Sequence, residues 1–135
     1  MGRVLEHKQV MVVDDNADTL ELLRLILEQA GATVVVAQSV EGAVAAFRKC
    51  PSHAVICDIR LGNTDGYELI KSIREYNAKY RGFTPAVAVT GFASPEDAER
   101  ARSSGFNAYI AKPFDPQDIV STVVRVLREP VEHAA

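Results

Sequence analysis

The chain has 135 residues, 47% of them hydrophobic and 24% charged, with a formal net charge of −3, which is about one domain's worth of chain and enough to bury a core without disulfides or structural metals. Acidic and basic residues are interspersed, which gives no electrostatic footprint for nucleic acid, and no apolar run approaches the ~20 residues that a bilayer-spanning helix needs. The opening MGRVLEHKQV lacks the apolar stretch and cleavage site of a secretory signal, and Cys50 and Cys57 form no CxxC pair, so a cytoplasmic protein with reduced thiols is expected.

In chain order, QVMVV (9–13) reads as a first buried strand, followed by an amphipathic helix over 17–30 that Asn16 or Asp18 opens and Gly31 closes. TVVVA (33–37) is a second strand, and a helix over 39–49 starts at Ser39 with Glu41 and Gly42 behind it. AVIC (54–57) is a third strand, then comes a helix over 66–76, then the strand PAVAVT (85–90). The helix over 95–104 opens at Ser94-Pro95 and stops at Gly105; AYIA (108–111) is the last strand, and the helix over 116–128 opens at Asp115-Pro116. Five alternations of apolar strand and helix predict an α/β, doubly wound fold with a parallel sheet covered on both faces. No repeat or linker interrupts residues 1–135, which are expected to form one domain with its core over about 8–128.

The first helix carries a wide apolar stripe. Leu20, Leu23, Ile26, Leu27 and Ala30 share one arc at about 100° per residue, whereas Leu22 and Leu25 lie beyond it. Leu22 is expected to be partly buried at the flank, and Leu25 is harder to bury. The last helix is similarly apolar, with Ile119, Val120, Val123, Val126 and Leu127, and Val124 at its margin; the extra surface suits output or homodimer contacts.

In an open parallel sheet the site lies beyond the carboxyl ends of the strands, which directs attention to Asp14, Asp15, Asp58, Thr90 and Lys112. Asp58 ends a strand that is apolar on both faces, a costly place for a charge unless something compensates it. Three close carboxylates repel one another, and a hard divalent cation such as Mg²⁺, which takes oxygen ligands, resolves the conflict. With its charge partly neutralised, Asp58 could stay ionised and attack phosphorus, while Thr90 and Lys112 support the other phosphoryl oxygens.

VMVVDDN, VICDIRLGNTDGYEL, AVTGFA and AYIAKPF, with Asp14-Asp15, Asp58, Gly66, Thr90, Tyr109 and Lys112-Pro113, resemble the receiver domain of two-component response regulators over roughly residues 8–128. The resemblance implies a flavodoxin-like five-stranded sheet in the order 2-1-3-4-5 with five helices. It also implies Asp58 as phosphoacceptor, Asp14 and Asp15 as the Mg²⁺-binding pair, the Arg60 backbone carbonyl as a further metal ligand, and Lys112 as the phosphate contact. Thr90 and Tyr109 would be the switch pair, and the Lys112-Pro113 peptide would be cis. The implied partners are a histidine kinase or histidine phosphotransfer domain, which would dock near Leu22 and Leu25, and a downstream protein.

Where relatives often carry Pro four residues after the phosphoacceptor, this chain has Gly62, followed by Asn63-Thr64, so a more mobile loop is expected. Phe92, two residues past Thr90, is placed to screen the acyl phosphate from water, which predicts a comparatively long lifetime. Each residue also has a plainer reading: Asp14 or Asp15 as a helix cap, Thr90 as a strand former, Lys112 as a surface lysine, Tyr109 as a half-buried aromatic, and Cys57 as a small core residue. His7, His53 and His133 show no ligand spacing. Two other functions compete: a pseudo-receiver acting by binding alone, and an aspartate-nucleophile phosphatase of the haloacid dehalogenase type. The latter needs a second acid two residues after its nucleophile, where Arg60 stands.

Overall fold

The computed structural model describes residues 3–61, 64–91 and 94–129. The expectations placed on Gly62, Asn63, Phe92, His133 and the tail after Glu129 lie outside the described residues. Strands β1 (Gln9–Val13), β2 (Thr33–Ala37) and β3 (Ala54–Asp58) precede a two-residue pair, β4 (Arg60–Leu61) and β5 (Thr64–Asp65), and β6 (Ala86–Thr90) and β7 (Ala108–Ala111) follow. Between them run α1 (Ala17–Gln29), α2 (Val40–Lys49), α3 (Gly66–Tyr80), α4 (Pro95–Ser104) and, at the end, α5 (Pro116–Arg128).

The five long strands form one parallel sheet in the order β2-β1-β3-β6-β7, which is the order 2-1-3-4-5 once the short β4/β5 ladder is set aside. β3 and β6 are buried along their whole length, as the continuous Val/Ile/Ala runs require of central parallel strands. Side chains of alternate residues feed two cores. Met11, Val55, Cys57 and Ala88 pack with α2, α3 and α4, and Val10, Val12, Ile56 and Val89 pack with α1 and α5.

Each helix starts on a side chain that accepts a backbone N–H: Asn16 from Thr19, Ser39 from Gly42, Ser94 from Asp97 and Asp115 from Gln117. Asp65 caps α3, accepting from Tyr67 and Glu68, a start the sequence reading did not single out. α3 also runs to Tyr80, four residues past the expected stop. No breaker interrupts it before Arg81, which ends it in the left-handed region at φ 56. The core begins before residue 8 as well: Leu5 is 1% exposed, and its N–H donates to the Ala30 carbonyl at 2.8 Å. That closure needs Gly31 at φ 101, where a Cβ would stand 2.9 Å from Arg3 Cβ.

Opposite the carboxyl ends of the strands, Arg74 organises the base of the molecule. Its guanidinium donates to the carbonyls of Thr84 and Gly105 and to the side chains of Asn77 and Asn107, and lies 4.4 Å from the Phe83 ring centroid. Burial lowers its pKa to about 10, so it remains charged at neutral pH, neutralised by amide dipoles. Arg74→Lys keeps the charge but cannot satisfy this fork, and is expected to cost about 2 kcal/mol. Urea unfolding should show a lower midpoint at unchanged slope.

Candidate functional site

β1, β3, β6 and β7 deliver the chemistry-bearing residues to one edge because each ends in register with its neighbour: Val13 pairs with Cys57, Asp58 with Val89 and Thr90 with Ala111. The next residues after β1 and β7 are Asp14 and, in turn, Lys112. Asp14 is 1% exposed, Thr90 2% and Asp58 9%, whereas Asp15 is exposed. Each of the three aspartates offers a carboxylate oxygen within 4.8 Å of the others.

Lys112 joins the two buried acids. Its Nζ donates to Asp58 Oδ2 at 2.9 Å and to Asp14 Oδ2 at 3.1 Å. The other oxygens are also engaged: Asp14 Oδ1 accepts from the Asn16 N–H at 2.9 Å, and Asp58 Oδ1 from the Arg60 N–H at 3.1 Å. Asp14 thus contributes to the turn into α1 without being its cap, which is Asn16. Burial raises the Asp14 pKa, outweighing the help from Asn16 and Lys112. Burial opposes the charged form of Lys112, but hydrogen bonds to Asp58 and Asp14 win and raise its pKa.

Local sequence explains the close fit. Lys112 is anchored by its own N–H donating to the Thr90 carbonyl at 2.8 Å, and the Lys112-Pro113 peptide bond is cis. Gly66 opens α3 directly behind Asp58. A Cβ there would stand 2.8 Å from the Asp58 carbonyl oxygen and 2.9 Å from Cys57 Sγ, so only glycine admits this approach. Cys57 is a buried thiol whose Sγ donates to the Asp58 carbonyl; burial first, then the charges of Asp58, Asp14 and Asp65, push its pKa well up. It is poorly suited to act as a nucleophile.

Thr90 and Tyr109 belong to the sheet face turned toward α3 and α4, since Tyr109 pairs with Ala88 and Thr90 lies two residues beyond that alanine. Tyr109 is half-buried, and burial, followed by Asp97 and Tyr67, raises its pKa. Tyr67 packs edge-on against Phe106 with centroids 6.3 Å apart, and Arg100 of α4 lies 4.2 Å from the Tyr67 ring centroid. The sequence reading missed this Tyr67–Arg100 contact, because the two residues are far apart in the chain and neither carries a motif. Arg60 is exposed, two residues past Asp58. Leu22 and Leu25 are 47% and 46% exposed, so the expected flank burial of Leu22 is not found among the described residues.

A model of the response regulator receiver domain matches residues 10–124. The chain belongs to this family. The receiver domain is 38% identical over 122 residues to an uncharacterized 14.6 kDa protein of Leptolyngbya boryana, covering 90% of this chain and 91% of that one. It is 36% identical over 126 residues to the acid tolerance regulatory protein ActR of Sinorhizobium medicae, covering 93% of this chain but only 62% of ActR's length. Chemotaxis protein CheY4 of Vibrio cholerae superposes with a TM-score of 0.81 at 28% identity, covering 88% of this chain and 98% of that one. Receiver domains are signalling modules of two-component systems, and no helix of the described residues is long and apolar enough to cross a membrane.

The three clustered carboxylates, two of them buried, repel one another around the Lys112 ammonium, so they cost folding free energy and suit a divalent cation. Asp14→Asn is therefore expected to stabilise the metal-free receiver domain by about 1 kcal/mol. Mg²⁺ or Mn²⁺ is expected to raise the melting temperature of the unsubstituted protein, and the same variant to lose that rise. Melting curves with chelator and with metal read both effects.

Proposed function

We propose that the chain is a phosphoacceptor of a two-component phosphorelay, with Asp58 receiving the phosphoryl group of a phosphohistidine carried by a histidine kinase or histidine phosphotransfer domain. The observation that carries this reading is the pair of hydrogen bonds from Lys112 Nζ to Asp58 and Asp14, with the Asp15 carboxylate alongside. The donor set is all oxygen and net negative, which fits Mg²⁺. Asp14, Asp15 and Asp58 would hold it, with the Arg60 backbone carbonyl as a further ligand, and the bound ion would offset negative charge on the phosphoryl oxygens.

In the transfer, an Asp58 carboxylate oxygen forms a bond to phosphorus as the phosphorus–nitrogen bond to the donor imidazole breaks, and the electron pair leaves with that nitrogen. Lys112 donates to a phosphoryl oxygen, and the Thr90 hydroxyl to another. The product is an acyl phosphate on the protein, with no external substrate turned over, in the proposed setting of the cytoplasm. Added charge at Asp58 draws Thr90 toward it, and Tyr109 turns into the space left behind, which biases the α4, β7 and α5 surface that a downstream protein reads. Solvent exposure of Tyr109 should fall on phosphorylation; unchanged exposure contradicts this part of the scheme. The phosphatase alternative finds Arg60 where its second acid is required.

Donor docking is proposed along α1, which opens next to the acid pair. Leu22 and Leu25 are exposed in its middle, and between them Arg24 is held by Glu21 and Glu28. Intact-mass spectrometry with a small acyl phosphate and Mg²⁺ should show one added phosphoryl group, absent from Asp58→Ala. Leu22→Asp with Leu25→Asp should leave that reaction unchanged and slow transfer from a phosphohistidine protein about tenfold. No adduct in a folded protein favours a pseudo-receiver acting by binding alone.

A further inference from the structure

Tyr80 is the most exposed large apolar side chain among the described residues, at 59%. It lines a groove of about 430 Å³ at the base of the molecule, where residues 51–53 lead into β3 and residues 83–85 into β6. Tyr76 and Tyr80 of α3 form one wall, and Val126 and Leu127 of α5 the other. The rings are held in place before anything enters. Tyr80 stacks on Tyr76 with centroids 4.5 Å apart, Tyr76 meets Phe47 of the core edge-on at 5.1 Å, and Phe83 lies against the Arg74 guanidinium. With Pro51 and Pro85 beside them, these rings make a preformed groove that suits a segment in polyproline II, which gives up little conformational entropy on docking.

The way the chain leaves α5 says what fills it. Glu129 lines the groove and has φ −64 and ψ 138, which is close to polyproline II. Its N–H donates to the Arg125 carbonyl and its carboxylate accepts from the Arg125 guanidinium, so the exit direction is fixed. Pro130 comes next, and proline favours that conformation both for itself and for the residue before it. At about 3.1 Å per residue in polyproline II, residues 130–135 (PVEHAA) reach roughly 19 Å, well into the groove that Glu129 already lines. Glu129 also borders an aliphatic groove between α1 and α5, but the described lining there holds no aromatic ring.

We propose that residues 130–135 of the same chain occupy the aromatic groove, with Pro130 and Val131 against Tyr76, Tyr80 and Phe83. Glu132 then comes to the basic end of α3, where Lys79 Nζ lies 5.3 Å from the Tyr80 centroid and Arg81 follows. The tail ties the end of α5 to the end of α3 beneath the sheet. None of this depends on the chemistry assigned to Asp58.

NMR of the full chain with labelled valine methyl groups tests it. Ring currents are expected to move the Val131 methyl signals upfield of their free-peptide positions, with cross-peaks to the Tyr80 ring protons that persist on dilution. Tyr80→Ala should remove the upfield shift, and Val131→Asp should move the Tyr80 ring signals with the rest of the spectrum unchanged. Val131 methyl signals at free-peptide positions, without cross-peaks to these rings, overturn the proposal. Cross-peaks to Val120 or Val124 overturn it by putting the tail in the aliphatic groove, and cross-peaks lost on dilution do so by assigning the tail to a second copy.

Discussion

One ammonium group ties the functional edge together. Lys112 Nζ stands 2.9 Å from an Asp58 oxygen and 3.1 Å from an Asp14 oxygen, linking the ends of β7, β3 and β1 across the sheet. Two carboxylates this deeply buried would be strongly unfavourable without a cation, and a third carboxylate within 4.8 Å deepens the deficit. The parallel register places these groups together, the Lys112 N–H bond to Thr90 fixes where the lysine begins, and Gly66 allows α3 to close behind Asp58. The fold tolerates this local cost because β3 and β6 are buried along their whole length.

The same alternation of side chains that builds two cores also separates two surfaces. Thr90 and Tyr109 belong to the face that packs with α3 and α4, where Arg100 lies over Tyr67. The aliphatic groove lies on the other face, between α1 and α5. Thr90 and Tyr109 therefore share one face of the sheet with the α3/α4 side, and α1 and α5 cover the other.

Much of this was legible in the sequence because it rests on local rules. Val and Ile runs marked the strands, Ser39, Ser94-Pro95 and Asp115-Pro116 marked helix starts, and the strand ends pointed to Asp14, Asp58, Thr90 and Lys112. What escaped depends on contacts between residues distant in the chain. The partners of Arg74 at Thr84, Gly105 and Asn107 are assembled only by the fold, and nothing in the spacing announces them. Leu5 lies before the expected start of the core at about residue 8, and only the fold brings its N–H to the Ala30 carbonyl. The exposure of Leu22 depends on what packs beside α1, which helical periodicity cannot specify.

The central claim is that Asp58, and not Asp14 or Asp15 beside it, accepts the phosphoryl group. The most direct measurement is to phosphorylate the protein in Mg²⁺, reduce the acyl phosphate with borohydride, and locate the reduced residue by peptide sequencing in a mass spectrometer. Conversion of Asp58 to homoserine, with Asp14 and Asp15 intact, is the result this account requires. Reduction at either neighbour, or at no aspartate in a protein that has gained phosphate, would contradict it.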